Sequence, residues 1–228
     1  MINNSKRTEI IEKLIANGVE IPCPDGVIIE DEIEIGKGTV IMPNTVIMGK
    51  TSIGSGCVIG PNSYICDSTV GDNTKLNNTQ SYSSEIGSGV SAGPFVHIRP
   101  NCKIADNVHI GNFVEVKNST VDEGSKLPHL LYVGDSDVGK DVNFGCGCVT
   151  VNYDGRNKSR TTVKDGAFIG CNTNLIAPVT VGANAFTAAG STITEDVPDN
   201  ALAVARARQS VKDEWVNIKK PYKRQHNK

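Results

Sequence analysis

Aliphatic residues recur every six positions along most of this chain, at Ile35, Ile41, Ile47, Ile53, Ile59 and Ile65. The beat returns at Ile86, Ala92, Ile98, Ile104, Ile110 and Val116, and again at Val163, Ile169, Leu175, Val181, Thr187 and Ile193. Glycine often follows, as at Ile53-Gly54, Ile110-Gly111 and Val181-Gly182. Period six fits neither a helix nor a half-buried strand. It predicts an all-β hexapeptide β-helix in which each hexad makes one short strand and a turn. A β-sandwich would instead show two-residue alternation and irregular turn spacing.

In such a coil the aliphatic residue points inward and stacks on its counterparts above and below. Corners fall to glycine or to Asn and Asp, here at Asn44, Asn62, Asp72, Asn73, Asn107 and Asn184, which tolerate left-handed backbone. The repeat predicts one solenoid domain over residues 27–200, between an N-terminal cap (1–26) and a C-terminal basic extension (201–228). Residues Ser5 to Asn17 have helical spacing, with an apolar stripe of Ile10, Ile11, Leu14 and Ile15 and a stop at Gly18. This helix is expected to cover the open edge of the first coil, or to contact a partner. A loop over 152–161 interrupts the repeat, and its Tyr153, Arg156, Lys158 and Arg160 suit an anionic ligand or a neighbouring subunit. The tail carries Arg206, Arg208, Lys212, Lys219, Lys220, Lys223, Arg224 and Lys228, a solvated face or a contact for phosphate.

Composition narrows the function. A net charge of -2 gives no general nucleic-acid surface. No apolar run reaches the length of a membrane span and no signal-peptide core follows Met1, so a cytoplasmic protein is expected. Seven cysteines, an odd number, do not suggest a disulfide framework. Cys146 and Cys148 form C-x-C without a nearby histidine, and no metal is expected.

Polar residues that break the repeat carry the candidate chemistry. Arg99 lies in His97-Ile98-Arg99-Pro100, and Lys117 closes Phe113-Val114-Glu115-Val116-Lys117. His129 and Tyr132 lie in Pro128-His129-Leu130-Leu131-Tyr132, and Asn143 in Val142-Asn143-Phe144-Gly145. They are spaced by about one coil, so stacking along one edge of the prism is expected. Two cations, an imidazole, a phenol and an amide suit a small phosphorylated polar substrate.

These segments, with Gly-Pro-Phe-Val-His-Ile-Arg-Pro, Val-Asn-Tyr-Asp-Gly and Ala-Ala-Gly-Ser-Thr-Ile-Thr, resemble the acetyltransferase domain of the bifunctional N-acetylglucosamine-1-phosphate uridyltransferase/glucosamine-1-phosphate acetyltransferase family from about Gly93 to Trp215. The resemblance implies a left-handed parallel β-helix, a homotrimer with active sites between subunits, and acetyl-CoA as co-substrate. It makes His129 the general base and Arg99, Lys117, Tyr132, Asn143 and Lys158 the sugar-phosphate contacts. It places Cys146, Asn152, Tyr153, Cys171, Ala189 and Arg206 where the family binds acetyl-CoA.

The residue chemistry agrees. N-acetylation needs an amine stripped of its proton beside a thioester, and a neutral imidazole can take that proton. Arg99 and Lys117 supply charge for a phosphate. The chain departs from the resemblance at Cys146 (many relatives have Ala), Cys171 (Ser) and Pro128 (often Gly). The Ser-to-Cys change weakens a hydrogen bond on the donor path. The family's glycine-rich nucleotide loop is absent from this sequence, so no uridyltransferase activity is expected of it. Two functions follow: acetylation of glucosamine 1-phosphate or a close amino-sugar phosphate for UDP-N-acetylglucosamine and cell-wall supply, or a non-catalytic trimeric sugar-nucleotide-binding scaffold partnering a separate nucleotidyltransferase.

Overall fold

In a computed structural model, which describes residues 4–219, the chain is a stack of triangular coils. An 18-stranded and a 9-stranded sheet run the length of the molecule, and all pairings between their strands are parallel. The six-residue beat becomes vertical register. Ile29, Ile47, Ile65, Ser81, Ile98, Val116 and Val133 form one inward column, each paired with the next. Its aliphatic members are almost fully buried. Each coil therefore buries its apolar face only against its neighbours. Where a hydroxyl replaces an aliphatic, a second hydroxyl answers it: Ser81 Oγ meets Ser68 Oγ at 3.1 Å.

The helix Asn4–Ala16 lies over the first coil. Ile10, Ile11 and Leu14 join the core, but Ile15 is 48% exposed, against the expected stripe. At 100° per residue Ile15 falls about 90° from the centre of the buried face. The helix ends in a Schellman pair, Val19 N–H to the Leu14 carbonyl at 3.0 Å and Gly18 N–H to that of Ile15 at 2.9 Å. Gly18 holds φ +90° there. Arg7 Nε donates to the Val27 carbonyl at 2.6 Å and fastens the helix to the coil.

One corner column changes character along the stack. Asn44, Asn62 and Asn78 hold positive φ and are linked amide to amide at 3.2 and 3.3 Å. The next corners are Phe95, Phe113 and Leu130, also at positive φ (61°, 57° and 49°). Bulky side chains in this region cost roughly 1–2 kcal/mol each. The phenyl rings of Phe95 and Phe113 stack at 5.2 Å. The chain passes this corner as continuous strand in His109–Lys117 and Lys126–Gly134.

The excursion after Val151 is a tight hairpin bridged at Tyr153 and Lys158. Asp154 Oδ1 accepts the N–H groups of Arg156 and Asn157 at 2.7 and 2.6 Å. At the other end Leu202–Ala203 pairs with Phe186–Thr187, so coil pairing continues past residue 200. Beyond it Trp215–Lys219 forms a short exposed helix. Lys220, Lys223, Arg224 and Lys228 lie outside the described residues. Among the described residues no helix is long and apolar enough to cross a membrane.

Candidate active site

The corner at Phe95, Phe113 and Leu130 divides the candidate residues. Arg99, Lys117 and Tyr132 lie after it, and His129 and Asn143 before it. They do not share one edge, because the chain turns at Phe95 before Arg99, at Phe113 before Lys117, and at Leu130 between His129 and Tyr132.

On the first side, the register that pairs Ile98 with Val116 sets Arg99 beside Lys117. Arg99 Nη1 pairs with Glu115 Oε1 at 2.9 Å, and both side chains are partly exposed. The Glu115 bond, working against burial, raises the Arg99 pKa. Lys117 is more enclosed, with its Nζ 3.0 Å from Asp135 Oδ2. Burial opposes the Lys117 ammonium, but the bond and charge of Asp135 outweigh it, and the pKa stands above the ordinary lysine value. Lys158 comes back from the loop close enough to act on the same ammonium. Two neighbouring cations beside one carboxylate leave net positive charge for an anion. Tyr132 folds over Gly134, where an added Cβ would come within 2.4 Å of its hydroxyl. Asn152 Nδ2 reaches that hydroxyl at 3.5 Å. Arg160 is committed elsewhere, to Asp137 at 2.9 Å and to the Ser136 and Asn118 carbonyls at 3.0 and 3.1 Å.

On the second side a single column runs up the stack. His129 pairs with Asn112 below. The Lys126–Asn143 register, continued by the Gly147 N–H donating to the His129 carbonyl at 3.4 Å, sets Cys146 above His129. Asn172 N–H donates to the Cys146 carbonyl at 2.8 Å and Gly190 N–H to that of Cys171 at 2.8 Å, which places Cys171 and then Ala189 next. Above Ala189 the register sets Ala205, and Arg206 stacks on the adjacent Gly190, its Cδ 3.7 Å from where a Cβ there would lie. Neighbouring members are about 4.8 Å apart. Asn143 lies beside Lys126, off this column.

His129 Nδ1 is 2.9 Å from Asn112 Oδ1. An amide oxygen only accepts, so this contact needs the proton on Nδ1, which in the neutral ring leaves the lone pair on Nε2. Burial lifts the neighbouring Cys148 thiol to about 11, which makes it inert, whereas Cys171 is exposed. Among the described residues no cluster of three or more His, Cys, Asp or Glu is arranged to hold a metal.

Asn112, Glu115, Asn118 and Asp135 escaped the sequence reading. Counting coils would have found them, since Asn112 precedes His129 by 17 residues and Asp135 follows Lys117 by 18.

The family model "Bacterial transferase hexapeptide (six repeats)" matches residues 32–67 and 83–118. The bifunctional protein GlmU of Geobacillus sp. (strain WCH70) is 58% identical over 211 residues, covering 92% of this chain and 46% of that protein. That of Clostridioides difficile (strain 630) is 49% identical over 213 residues, covering 93% and 46%. The chain thus spans about half the length of these relatives. The solved Arabidopsis UDP-N-acetylglucosamine acyltransferase is 13% identical with a TM-score of 0.51, over 82% of this chain and 70% of that one. It shares the fold alone, a left-handed parallel β-helix. By sequence and fold, then, the chain is a hexapeptide β-helix protein homologous to one half of the bifunctional protein GlmU.

Proposed function

We propose that this protein transfers the acetyl group of acetyl-CoA to the amine of glucosamine 1-phosphate, or of a close amino-sugar phosphate, with His129 as general base. The column His129, Cys146, Cys171 and Ala189, with Arg206 beside its upper end, carries the reading. An elongated donor lies along it, with its thioester at the imidazole and its phosphates at the arginine. His129 Nε2 takes the proton from the sugar amine as nitrogen attacks the thioester carbonyl; the C–S bond then breaks and the proton passes to the departing sulfur, so CoA leaves as the thiol. Asn112 holds the ring in the tautomer this step needs.

Lys117, Lys158, Arg99 and Tyr132 receive the sugar phosphate. They lie across a corner from His129, so a complete site joins the first face of one protomer to the second face of its neighbour. Phe95, Phe113 and Leu130, more than half exposed at the dividing corner, support a homotrimer sealed there.

The test follows CoA thiol released from acetyl-CoA with glucosamine 1-phosphate, galactosamine 1-phosphate or serine as acceptor. Release that requires an amino-sugar phosphate supports the reading, and the faster sugar names the acceptor. Ligand binding by a well-folded trimer without release with any acceptor would overturn it in favour of a non-catalytic scaffold.

A further inference from the structure

Asp135 is a buried carboxylate that none of the roles above uses. Only 6% of its side chain is exposed. Lys117 Nζ donates to its two oxygens at 3.2 and 3.0 Å, Asn118 Nδ2 donates to Oδ1 at 2.5 Å, and Asn152 Nδ2 donates to Oδ2. Its main chain is engaged as well. The Asp135 N–H donates to the Lys117 carbonyl at 2.9 Å, and its own carbonyl accepts the Thr161 N–H at 3.1 Å. Asn152 and Thr161 are the points where the hairpin leaves and rejoins the stack. One residue therefore grips both ends of the loop and the lysine assigned to the sugar phosphate.

We propose that Asp135 is a positioning residue coupling the acceptor site to the loop that carries Asn152, Tyr153 and Lys158. The inference rests on the acetyltransferase reading for the roles of Lys117 and Asn152. Charge explains why an acid is used here. An enclosed ammonium without a counter-ion is costly, so Asp135 fixes Lys117 in place, while Lys158 keeps the site net positive. The same carboxylate orients the Asn152 amide. A shift of Asp135 moves groups on both the acceptor and donor sides.

Its signature is a joint effect. Lys117→Ala is expected to raise chiefly the KM for the sugar phosphate, and Asn152→Ala chiefly that for acetyl-CoA. Asp135→Asn raises both about tenfold, and Asp135→Glu, which keeps the charge but lengthens the side chain, raises both to a smaller degree. A second readout does not depend on turnover. Trypsin cutting after Arg156 and Lys158, followed by mass spectrometry on folded full-length protein, is expected to run at least tenfold faster in Asp135→Asn than in the wild type. Asp135→Glu keeps this test available if Asp135→Asn does not fold. Folded variants with wild-type cleavage rates and both KM values unchanged overturn the proposal. A wild type that acetylates no acceptor would overturn the reaction assignment, and the trypsin comparison would still decide whether Asp135 anchors the loop.

Discussion

His129 and Asn112 occupy the same position in successive coils and are joined by a 2.9 Å hydrogen bond from Nδ1 to Oδ1. The bond selects the imidazole tautomer whose Nε2 is unprotonated, and it stops the ring from turning. Asn112→Ala is expected to lower kcat by roughly 10- to 100-fold with little change in either KM, because it removes an orienting partner rather than a binding contact. Steady-state kinetics decide this. A change in KM with kcat intact would mean that Asn112 contacts substrate.

Gly111 precedes that pair by one residue. A Cβ there would lie 1.8 Å from the Pro128 carbonyl oxygen, closer than any side chain allows. Gly111→Ala must push the coils apart directly beside His129. A loss of about 2–4 kcal/mol is expected, with activity falling in parallel, measured by urea unfolding. Unaltered stability would show that the coils there are looser than the register indicates.

The Lys117–Asp135 pair sets a pH window for stability. Burial pushes the Asp135 pKa up, but bonds from Asn118, Lys117 and Asn152 prevail and hold it below the ordinary aspartate value of 3.8. Its contribution is therefore present above that value and disappears as pH falls through the lower folded pKa. The raised Lys117 pKa means its contribution is present below the ordinary 10.5 and disappears as pH rises through the folded value. Tyr132, Lys158 and Arg160 also act on these groups. Asp135→Asn should cost about 3 kcal/mol at neutral pH, and the difference from wild type should shrink below about pH 4. Thermal melts across pH test this. A difference that grows with acidity would contradict the assignment.

The corner ladder makes its own prediction. Phe113→Asn restores the residue type found at Asn44, Asn62 and Asn78, and it relieves the positive-φ strain of a phenylalanine. The isolated protomer should keep or gain stability, while the oligomer weakens at least tenfold in dissociation constant, read by analytical ultracentrifugation. If the protomers are joined elsewhere, the variant will sediment as the wild type does. An intersubunit site also requires that His129→Ala and Lys117→Ala, each nearly inactive alone at sugar phosphate well below the raised KM of Lys117→Ala, recover part of the activity when protomers are mixed and reassembled.

The period of six gave away the solenoid because every inward position must pack on a like position one coil away. The column Ile29, Ile47, Ile65 carries that constraint openly in the sequence. The residues assigned to chemistry were legible only as exceptions to it, and their distribution over two faces was not. Whether His129 and Lys117 share a face depends on the corner between them. At Leu130 that corner is an aliphatic residue in a conformation its type disfavours. Asp135 was hidden for a similar reason. Gly-Asp reads as an ordinary turn, and only the register shows that its carboxylate faces Lys117 one coil below and Asn152 one coil above. Arg160 read as a free loop cation until its bonds to Asp137 and two carbonyls were visible.

The central claim is that His129 drives acetyl transfer to an amino-sugar phosphate. The most direct measurement is the initial rate of N-acetylated sugar phosphate formed from acetyl-CoA and glucosamine 1-phosphate, with product identified by mass, for wild type and His129→Ala side by side. The account predicts steady product from the wild type and a rate about 10²- to 10⁴-fold lower in a variant that still folds and assembles. Equal rates in the two proteins would contradict it.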